Sequence, residues 1–401
     1  MQKPTVLMLV PLPPPYAGPE VLTDSLLHSS LAEQFHLQVV NTTLNRTNSQ
    51  RGHLRPQNIL RLTVICLKAL LFVVRFHPRM TYMTLSQNKA GFLRDFLLFS
   101  LLRAAGQKIV LHFHGGNLHV FYAHSSALLQ WFLRIVLGNA GCVIVLGPAI
   151  ARRFNFVSFP VPTRIVSNWA EASNRADDRA IPHARESQNR TSAVPVTVLS
   201  LGTISVAKGS ADLLHAAADV LASTRAVRFL FAGELLCQEK NVFFGEDGAP
   251  LQSEPLAHLA EEMCARFPDN IIFLGSVDPR RKWQLLGEAD ILVAASYTEG
   301  FPVSVAEAMA SALPVICTPV GAIPGILQQD VNVRFVHPGD RAGLAVALLA
   351  LVNDPKQRSA MGLANYRLYQ EKLRPEQAAH AIAKIFTEVI AGRIIPDAPQ
   401  G

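Results

Sequence analysis

With 401 residues, the chain is long enough for two domains that each have a full hydrophobic core. Its 49% hydrophobic and 17% charged residues are typical of a globular protein and exclude large-scale disorder. The net charge of +7 is uneven, with +12 in residues 1–175 and −5 in the remainder. Because the basic half has no aromatic–basic interleaving and no zinc-finger spacing, this asymmetry favours an anionic ligand or membrane surface over nucleic acid.

The first 170 residues alternate short apolar strands with helical stretches, which predicts a parallel sheet covered by helices. The N-terminal run TVLMLV is too short for a secretory signal and is predicted to be the first strand, so a cytoplasmic protein is expected. The five cysteines are scattered without a Cys-x-x-Cys pair, as expected in a reducing compartment. The other elements predicted in this half are a helix at Val21–Ala32, the strand LQVVNTT, a helix at Ile59–Phe76, the strand TYMTLS, a helix at Phe92–Ala105, the strand KIVLHFHG, a helix at Ser126–Leu137 and the strand CVIVLG.

The helix predicted at Ile59–Phe76 carries three cations, Arg61, Lys68 and Arg75, at intervals of seven residues. On a helix, this spacing gives one nearly straight basic stripe. Three interpretations stay open: a helix of the domain whose single exposed stripe is basic, a helix that lies on a membrane with the stripe toward anionic headgroups, and a membrane span. A span is disfavoured because Lys68 would lie at the centre of the bilayer.

The composition changes after the first domain, predicted over residues 1–170. Residues 171–193 are polar and lack an apolar period, so they are predicted to be a linker. A second α/β domain is predicted over residues 194–374. Residues 375–401 are predicted to form a C-terminal helix and tail, and packing of this helix back on the first domain is left open. The elements predicted in the second domain are the strand VTVLSLG, a helix at Ser210–Ala222, the strand VRFLFAG, a helix at Leu256–Phe267, the strand NIIFLG, a helix at Arg281–Ala289, the strand ADILVAAS, and a helix and strand within VAEAMASALPVICT.

The segment EGFPVSVAE carries two carboxylates, Glu299 and Glu307, across a predicted junction between a loop and a helix. Pro302 is predicted in the first helical turn, where a missing N–H costs nothing. The amides of residues 303–305 would then be unpaired donors at the positive end of the helix, which is typical of a phosphate site. Glu299 is predicted to lie on the loop beside that phosphate and Glu307 about one turn inside the helix, so that one carboxylate could face a sugar while the other accepts hydrogen bonds from ribose hydroxyls.

Together with three further motifs, EGFPVSVAE resembles the retaining glycosyltransferases of GT-B fold, specifically glycosyltransferase family 4, whose signature is E-x(7)-E. The resemblance implies two Rossmann-like, doubly wound α/β domains that face a central cleft, with the donor held mainly by the second domain and the acceptor by the first. It implies that Glu299 supports positive charge developing at the anomeric carbon, and that Glu307 binds the ribose. It also implies donor contacts from the backbone of five residues: Gly300, Phe301 and Pro302 along the sugar, and Val303 and Ser304 on the diphosphate.

The three further motifs imply the remaining site residues. LGTISVAKG resembles the family's G-R-x(4)-K-G segment, with Thr203 at the donor-binding position where Arg is usual, and Lys208 is expected to stabilise the diphosphate leaving group. HFHGG resembles the histidine motif of the first domain, so His114 is expected to hydrogen-bond a donor-sugar hydroxyl, with His112 as the alternative. PPPYAGPE stands where the family has a glycine-rich loop, and Gly18 lets the backbone approach a phosphate or the acceptor.

The resemblance implies a retaining hexosyltransferase that needs neither a metal nor a cofactor. Its expected partners are a nucleotide-diphosphate sugar and a saccharide or polyprenyl-diphosphate-linked acceptor, in the synthesis of cell-surface polysaccharide. The basic first half favours an acceptor presented at an anionic membrane, with the protein at its inner face. Two alternatives stay open: a non-catalytic nucleotide-sugar-binding subunit, which Thr203 favours, and a sugar-nucleotide epimerase of the same fold. A nicotinamide-dependent oxidoreductase is disfavoured because neither half opens with G-x-G-x-x-G.

Overall fold

The computed structural model describes residues 3–44, 56–171, 195–236, 244–245, 247–251 and 255–394. The chain divides into two compact units. The first unit contains residues 1–169 and 375–401, and the second contains residues 170–374. The predicted linker, residues 171–193, lies outside the described residues except for Glu171.

The first unit is built on a parallel sheet in which the strand order is β2-β1-β3-β4-β5-β6. Three of its strands, TVLMLV, IVLH and CVIV, are largely apolar, as expected where helices cover both faces of a sheet. The strands are β1 (Thr5–Val10), β2 (His36–Asn41), β3 (Met80–Thr84), β4 (Ile109–His112), β5 (Cys142–Val145) and β6 (Thr163–Ile165). The helices of this part of the chain are α1 (Gly18–Leu27), α2 (Leu31–Gln34), α3 (Pro56–Phe76), α4 (Lys89–Ala104), α5 (Leu118–Ala123), α6 (Ala127–Gly138) and α7 (Pro148–Arg152).

The direction of the chain across this sheet reverses at β1, since β2 lies on one side of it and β3 on the other. Right-handed crossovers therefore place α1 and α2 on one face of the sheet, and α3, α4 and α6 on the opposite face. In agreement, α3 contacts α4, and α4 contacts α6. The C-terminal helix of the chain (Pro375–Ile390) packs on α1, α2 and β3 of the first unit.

Two details of the first unit differ from the sequence predictions. The single helix predicted at Val21–Ala32 is broken into α1 and α2, because the chain turns at residues 28–30. On α3, the interpretation in which the single exposed stripe is basic is wrong: Leu67 and Leu71 are exposed together with Lys68, while Ile65 is buried. Within the described residues, no helix combines the length and the apolarity that a membrane span requires.

The second unit is built on another parallel sheet, in the order β12-β11-β10-β7-β8-β9. Its described strands are β7 (Val196–Leu201), β8 (Val227–Ala232), β9 (Ile271–Gly275), β10 (Ile291–Ala294), β11 (Val315–Cys317) and β12 (Val333–Phe335). Its described helices are α8 (Ser210–Ser223), α9 (Leu256–Arg266), α10 (Pro279–Glu288), α11 (Val303–Ala310), α12 (Arg341–Asn353) and α13 (Pro355–Lys372), and the C-terminal helix of the first unit follows as α14 (Pro375–Ile390). Here the direction of the chain across the sheet reverses at β7, which lies between β8 and β10. In open α/β sheets, ligands bind at the carboxyl ends of the strands beside such a switch point.

Candidate functional site

The switch point of the second unit brings the LGTISVAKG segment, which follows β7, against the end of β10. Gly209 adopts a positive φ of 65°, and a Cβ atom at this position would overlap the carbonyl oxygen of Ala295. The amide of Tyr297 donates to the carbonyl oxygen of Ala207 at 2.9 Å. Glycine is therefore required at this close approach, which holds Lys208 beside the loop that begins after β10.

Lys208 and Glu299, predicted separately from two motifs, form an ion pair. The Glu299 side chain is only 13% exposed, whereas that of Lys208 is 40% exposed. Ser296 donates from its hydroxyl to the same Glu299 oxygen at 2.9 Å, and the Thr318 hydroxyl donates to the Ser296 carbonyl oxygen at 2.5 Å. The carboxylate is thus fixed by two donors, while the ammonium remains open to solvent.

The backbone of residues 299–301 packs against the loop that follows β11. Gly321 has a φ of 63°, and a Cβ atom there would overlap the carbonyl oxygens of Glu299 and Gly300. The amide of Ala322 donates to the Gly300 carbonyl oxygen at 2.7 Å. Phe301 is buried in the core beneath the loop. These contacts fix the direction in which the helix α11 starts.

The amino end of α11 differs in detail from the sequence prediction. Pro302 is the N-cap residue and precedes the first helical residue, Val303. The amide of Val305 donates to the Pro302 carbonyl oxygen at 3.1 Å, so the prediction that it is unpaired is wrong. Within the described chain, the amides of Val303 and Ser304 have no such partner, and both residues are only half-buried. Two donors at the positive end of this helix thus lack a partner among the described residues, and they follow Glu299, the partner of Lys208, by four and five positions.

Glu307 lies one turn into α11 and pairs with Lys282 of α10. The side chains are 6% and 19% exposed, so this is a largely buried pair. Burial raises the pKa of Glu307 above its ordinary value, although the Lys282 ammonium opposes the shift. No motif in the sequence pointed to Lys282, which precedes Glu307 by 25 positions on a polar helix.

The predicted donor-binding residue Thr203 lies in the loop between β7 and Lys208. It follows Gly202, which has a φ of 129° and is exposed. Thr203 is half-buried. The loop therefore presents a hydroxyl at the position where the family pattern has a guanidinium.

In the first unit, the two histidines of HFHGG lie side by side, with ring centroids 4.1 Å apart. His112, the last residue of β4, is buried and hydrogen-bonds the Tyr82 hydroxyl through Nδ1 at 2.6 Å. His114 donates from Nδ1 to Oδ1 of Asn168 at 3.0 Å, since the amide oxygen can only accept. Burial lowers the pKa of His114 to about 4, although the Asn168 bond opposes the shift. The pKa of His112 is also lowered, by burial and by the neighbouring His114.

This tautomer leaves Nε2 of His114 as a hydrogen-bond acceptor at neutral pH. The atom is buried and has no partner among the described residues. His114 also lines a cavity of about 530 Å³ at the carboxyl ends of β1 to β4. Gly18 begins α1, and the next two residues, Pro19 and Glu20, line the same cavity. The first unit therefore places the HFHGG and PPPYAGPE motifs beside the same cavity.

The polar part of that cavity contains Arg94, which the sequence motifs did not identify. Its guanidinium is held by Asp95, by the Ser86 hydroxyl at 3.0 Å and by the Thr42 carbonyl oxygen at 3.1 Å. The apolar part of the lining includes Ile59 of α3. In the part of the chain that the structure describes, no three His, Cys, Asp or Glu side chains are grouped as metal ligands.

Comparison with known proteins matches residues 195–354 to the family model of the glycosyl transferases group 1, which is about two-fifths of the chain. The N-acetyl-alpha-D-glucosaminyl L-malate synthase of Bacillus anthracis is 30% identical over 122 residues, or 30% of this chain and 32% of that protein. The D-inositol 3-phosphate glycosyltransferase of Nocardia farcinica is 31% identical over 169 residues, or 41% of this chain and 35% of that protein. The matched region thus spans about a third of each of these curated relatives.

Two solved structures match nearly the whole chain. The sucrose-phosphate synthase of Thermosynechococcus elongatus has a TM-score of 0.73 at 18% identity, with 98% of this chain and 100% of that one covered. Anabaena HepE, solved in complex with UDP-glucose, has a TM-score of 0.67 at 18% identity, with 96% and 99% covered. The predicted fold class, two Rossmann-like domains similar to those of GT-B glycosyltransferases, is confirmed.

Proposed function

We propose that the protein is a glycosyltransferase that moves a sugar from a nucleotide-diphosphate-sugar donor to a saccharide or lipid-linked saccharide acceptor. The observation that carries the proposal is the corner formed by the Lys208–Glu299 pair and the start of α11, where the amides of Val303 and Ser304 have no partner among the described residues. This corner lies inside the segment that matches the glycosyl transferases group 1. The glycosyltransferase names of the curated relatives, and the structural neighbours solved with UDP and UDP-glucose, support the same donor class.

The donor diphosphate fits the amino end of α11. The amides of Val303 and Ser304 would donate to its oxygens, and the exposed ammonium of Lys208 would add a positive charge. The backbone of residues 300–302 would then run along the sugar. Glu307, held by Lys282, would accept from the ribose hydroxyls.

The chemistry proposed is retaining transfer by front-face displacement, without a metal ion. The bond between the anomeric carbon and the diphosphate oxygen breaks, and the acceptor oxygen bonds to the same face of that carbon. The departing diphosphate oxygen takes the acceptor proton. Lys208 and the helix amides stabilise the developing negative charge, and Glu299 supports the positive charge at the anomeric carbon.

The acceptor is proposed to bind in the cavity of the first unit. Its volume of about 530 Å³ and its mixture of polar and apolar walls suit a saccharide that carries an apolar group. His114, expected from the sequence to contact the donor sugar, lines the same cavity and can accept a hydrogen bond from a sugar hydroxyl through Nε2. We further propose a polyprenyl-diphosphate-linked acceptor and a place in cell-surface polysaccharide synthesis, with the enzyme in the cytoplasm at the inner face of the membrane.

A non-catalytic nucleotide-sugar-binding subunit is the second candidate, because the half-buried Thr203 replaces a guanidinium at the phosphate segment. Such a protein would bind the donor and neither transfer nor hydrolyse it. A sugar-nucleotide epimerase would instead convert the free donor without any acceptor. Both would bind the nucleotide sugar as a glycosyltransferase does, but neither would form a glycoside with an acceptor.

A panel of nucleotide sugars, screened by thermal stabilisation and then by product analysis, tests the proposal. The expected result is stabilisation by one donor, with release of its nucleoside diphosphate and formation of a glycoside of retained configuration. Lys208→Ala should lower the transfer rate about 100- to 1,000-fold, as loss of one charge-stabilising donor does elsewhere. Lys356→Ala, at an exposed lysine of the same unit, is the matched control. Wild-type turnover in Lys208→Ala, or donor binding without any product, would refute the assignment.

A further inference from the structure

The outer face of α3 is apolar along nearly its whole length. Leu60, Val64, Leu67, Leu71 and Val74 recur at intervals of four and three residues, which places them on one side of the helix. Each of them is between 42% and 70% exposed. In a folded domain, the apolar stripe of an amphipathic helix normally faces the core. The exposure of the apolar stripe of α3 therefore needs an explanation.

Further large apolar residues are exposed on α4 and α6. Helix α4 packs on α3, and α6 packs on α4, all on one side of the sheet. Scattered single apolar residues are common on protein surfaces, but nine large ones on three neighbouring helices are more than that. We call these residues the apolar face: Leu60, Val64, Leu67, Leu71 and Val74 of α3, Leu93 and Leu97 of α4, and Leu128 and Trp131 of α6.

The charges around the apolar face are all of one sign. Arg61, Lys68 and Arg75 are exposed on one flank of the α3 stripe. Between residues 34 and 170, the sequence has 15 Lys and Arg and a single acidic residue, Asp95. Asp95 is buried and paired with Arg94. An occupant of this face must therefore be apolar at its centre and negative at its edge.

We propose that the apolar face docks on an anionic lipid bilayer, with α3 lying in the plane of the interface. Leucine and tryptophan side chains would enter the acyl boundary, while Lys68 and Arg75 contact the headgroups. A second copy of the chain is a poorer occupant, because a two-fold interface would bring two basic flanks together without an acid to offset them. The basic stripe noted in the sequence would thus be one edge of the contact rather than its centre.

The proposed acceptor cavity lies beside the apolar face, so docking on a bilayer would affect how the acceptor binds. Ile59, at the start of α3, is 68% exposed and also lines the cavity of about 530 Å³. Leu62 and Leu93 line the same wall, whereas Ser86 and Arg94 line the polar part. The cavity therefore opens at the border of the apolar face. This second step rests on the proposed function: the acceptor is a saccharide whose lipid stays in the bilayer while its polar head enters the cavity.

Vesicle flotation tests the docking without any sugar donor. Wild-type protein should float with phosphatidylcholine vesicles that contain phosphatidylglycerol and bind much less to phosphatidylcholine alone. Lys68→Gln with Arg75→Gln should weaken binding roughly 30-fold, at about fivefold for each cation. Leu67→Gln with Leu71→Gln should weaken it roughly 100-fold, at about tenfold for each leucine removed from the acyl boundary.

Matched changes in the second unit provide the controls. Val331→Gln with Val346→Gln alters two exposed apolar residues, and Lys356→Gln with Lys372→Gln alters two exposed lysines. Both should bind vesicles as the wild type does. Unchanged binding in the two α3 variants, or no binding by the wild type, overturns the proposal. Loss of self-association on the leucine changes, without vesicle binding by the wild type, would assign the face to a second copy and overturn it as well.

The acceptor step is tested with one saccharide in two forms, free and attached to a polyprenyl diphosphate in vesicles. Leu67→Gln with Leu71→Gln should raise KM for the lipid-linked form at least tenfold, and leave kcat and the KM for the free form unchanged. Equal effects on both forms overturn the lipid-linked assignment. Absence of transfer to either form, with vesicle binding intact, refutes the proposed function and leaves the docking standing.

Discussion

Each carboxylate of EGFPVSVAE is held by a lysine from another part of the second unit. Lys208 pairs with Glu299 and Lys282 with Glu307. In the first pair, the Lys208 side chain is 40% exposed. The pair therefore contributes little to stability, and the ammonium remains available to a ligand. The second pair is largely buried, so loss of one partner leaves a charge without compensation.

Removal of the Glu307 carboxylate should therefore affect folding as well as activity. Glu307→Ala is expected to lower the free energy of unfolding by about 3 kcal/mol, because Lys282 stays buried without its partner. Combining it with Lys282→Met should restore most of this loss, which a double-mutant cycle in urea measures. Glu307→Gln, which keeps a hydrogen-bond acceptor, should lose less stability than Glu307→Ala. Additive losses in the double variant would contradict a coupled pair.

The buried histidine of the first unit should make stability depend on pH. The pKa of His114 is about 4 in the folded protein and ordinarily 6.5, so the unfolded chain binds the proton more tightly. Stability should fall as the pH decreases from about 6.5 to about 4, by up to about 2 kcal/mol between pH 7 and pH 5. Urea unfolding of wild type and His114→Gln at both pH values isolates this contribution. An identical pH dependence in the two proteins would contradict it.

At this scale, sequence motifs identified individual side chains but not their partners. Glu299 and Lys208 stand 91 positions apart and were predicted from separate motifs, and only the fold brings them into contact. Ser296 could have been found, since it ends a predicted strand at the carboxyl edge of the sheet. Lys282 and Asn168 could not, because nothing in their local sequence distinguishes them from solvated or capping residues.

At the level of secondary-structure elements, Gly209 allows the turn after β7 to lie close to the end of β10. Gly209→Ala should cost more than about 2 kcal/mol, since the left-handed conformation costs about 1 kcal/mol and the new Cβ overlaps Ala295. It should also lower donor binding, because the turn that carries Lys208 must shift. Gly275→Ala is the control: its φ is 66°, but the space around it is open, so about 1 kcal/mol and normal donor binding are expected. Equal effects of the two changes, measured by thermal unfolding and ligand-induced stabilisation, would contradict this account.

Elements with a strong apolar period were predictable, and their exposed faces were not. The period of Ile59–Phe76 correctly predicted a helix, now α3 (Pro56–Phe76). Whether its basic stripe is the single exposed side was one of three open interpretations, because the sequence does not show that the buried side is the one with Ile65, Cys66 and Ala69. Packing decides which half of an almost wholly apolar helix faces the core.

At the scale of the whole molecule, the end of the chain completes the core of the first unit. Phe386 of α14 is fully buried and meets the rings of Phe35 at 5.5 Å and Tyr82 at 5.6 Å, edge to face. Phe386→Ala should destabilise the first unit by about 3–5 kcal/mol through the lost burial and the cavity left behind. Hydrogen exchange should then rise at the amides of β1 and β3, while those of β7 and β10 keep their protection and donor binding persists. Leu348→Ala, in the core of the second unit, should reverse this pattern. If Phe386→Ala exposed both sheets equally, the first unit would not be a separate folding unit completed by the last helix.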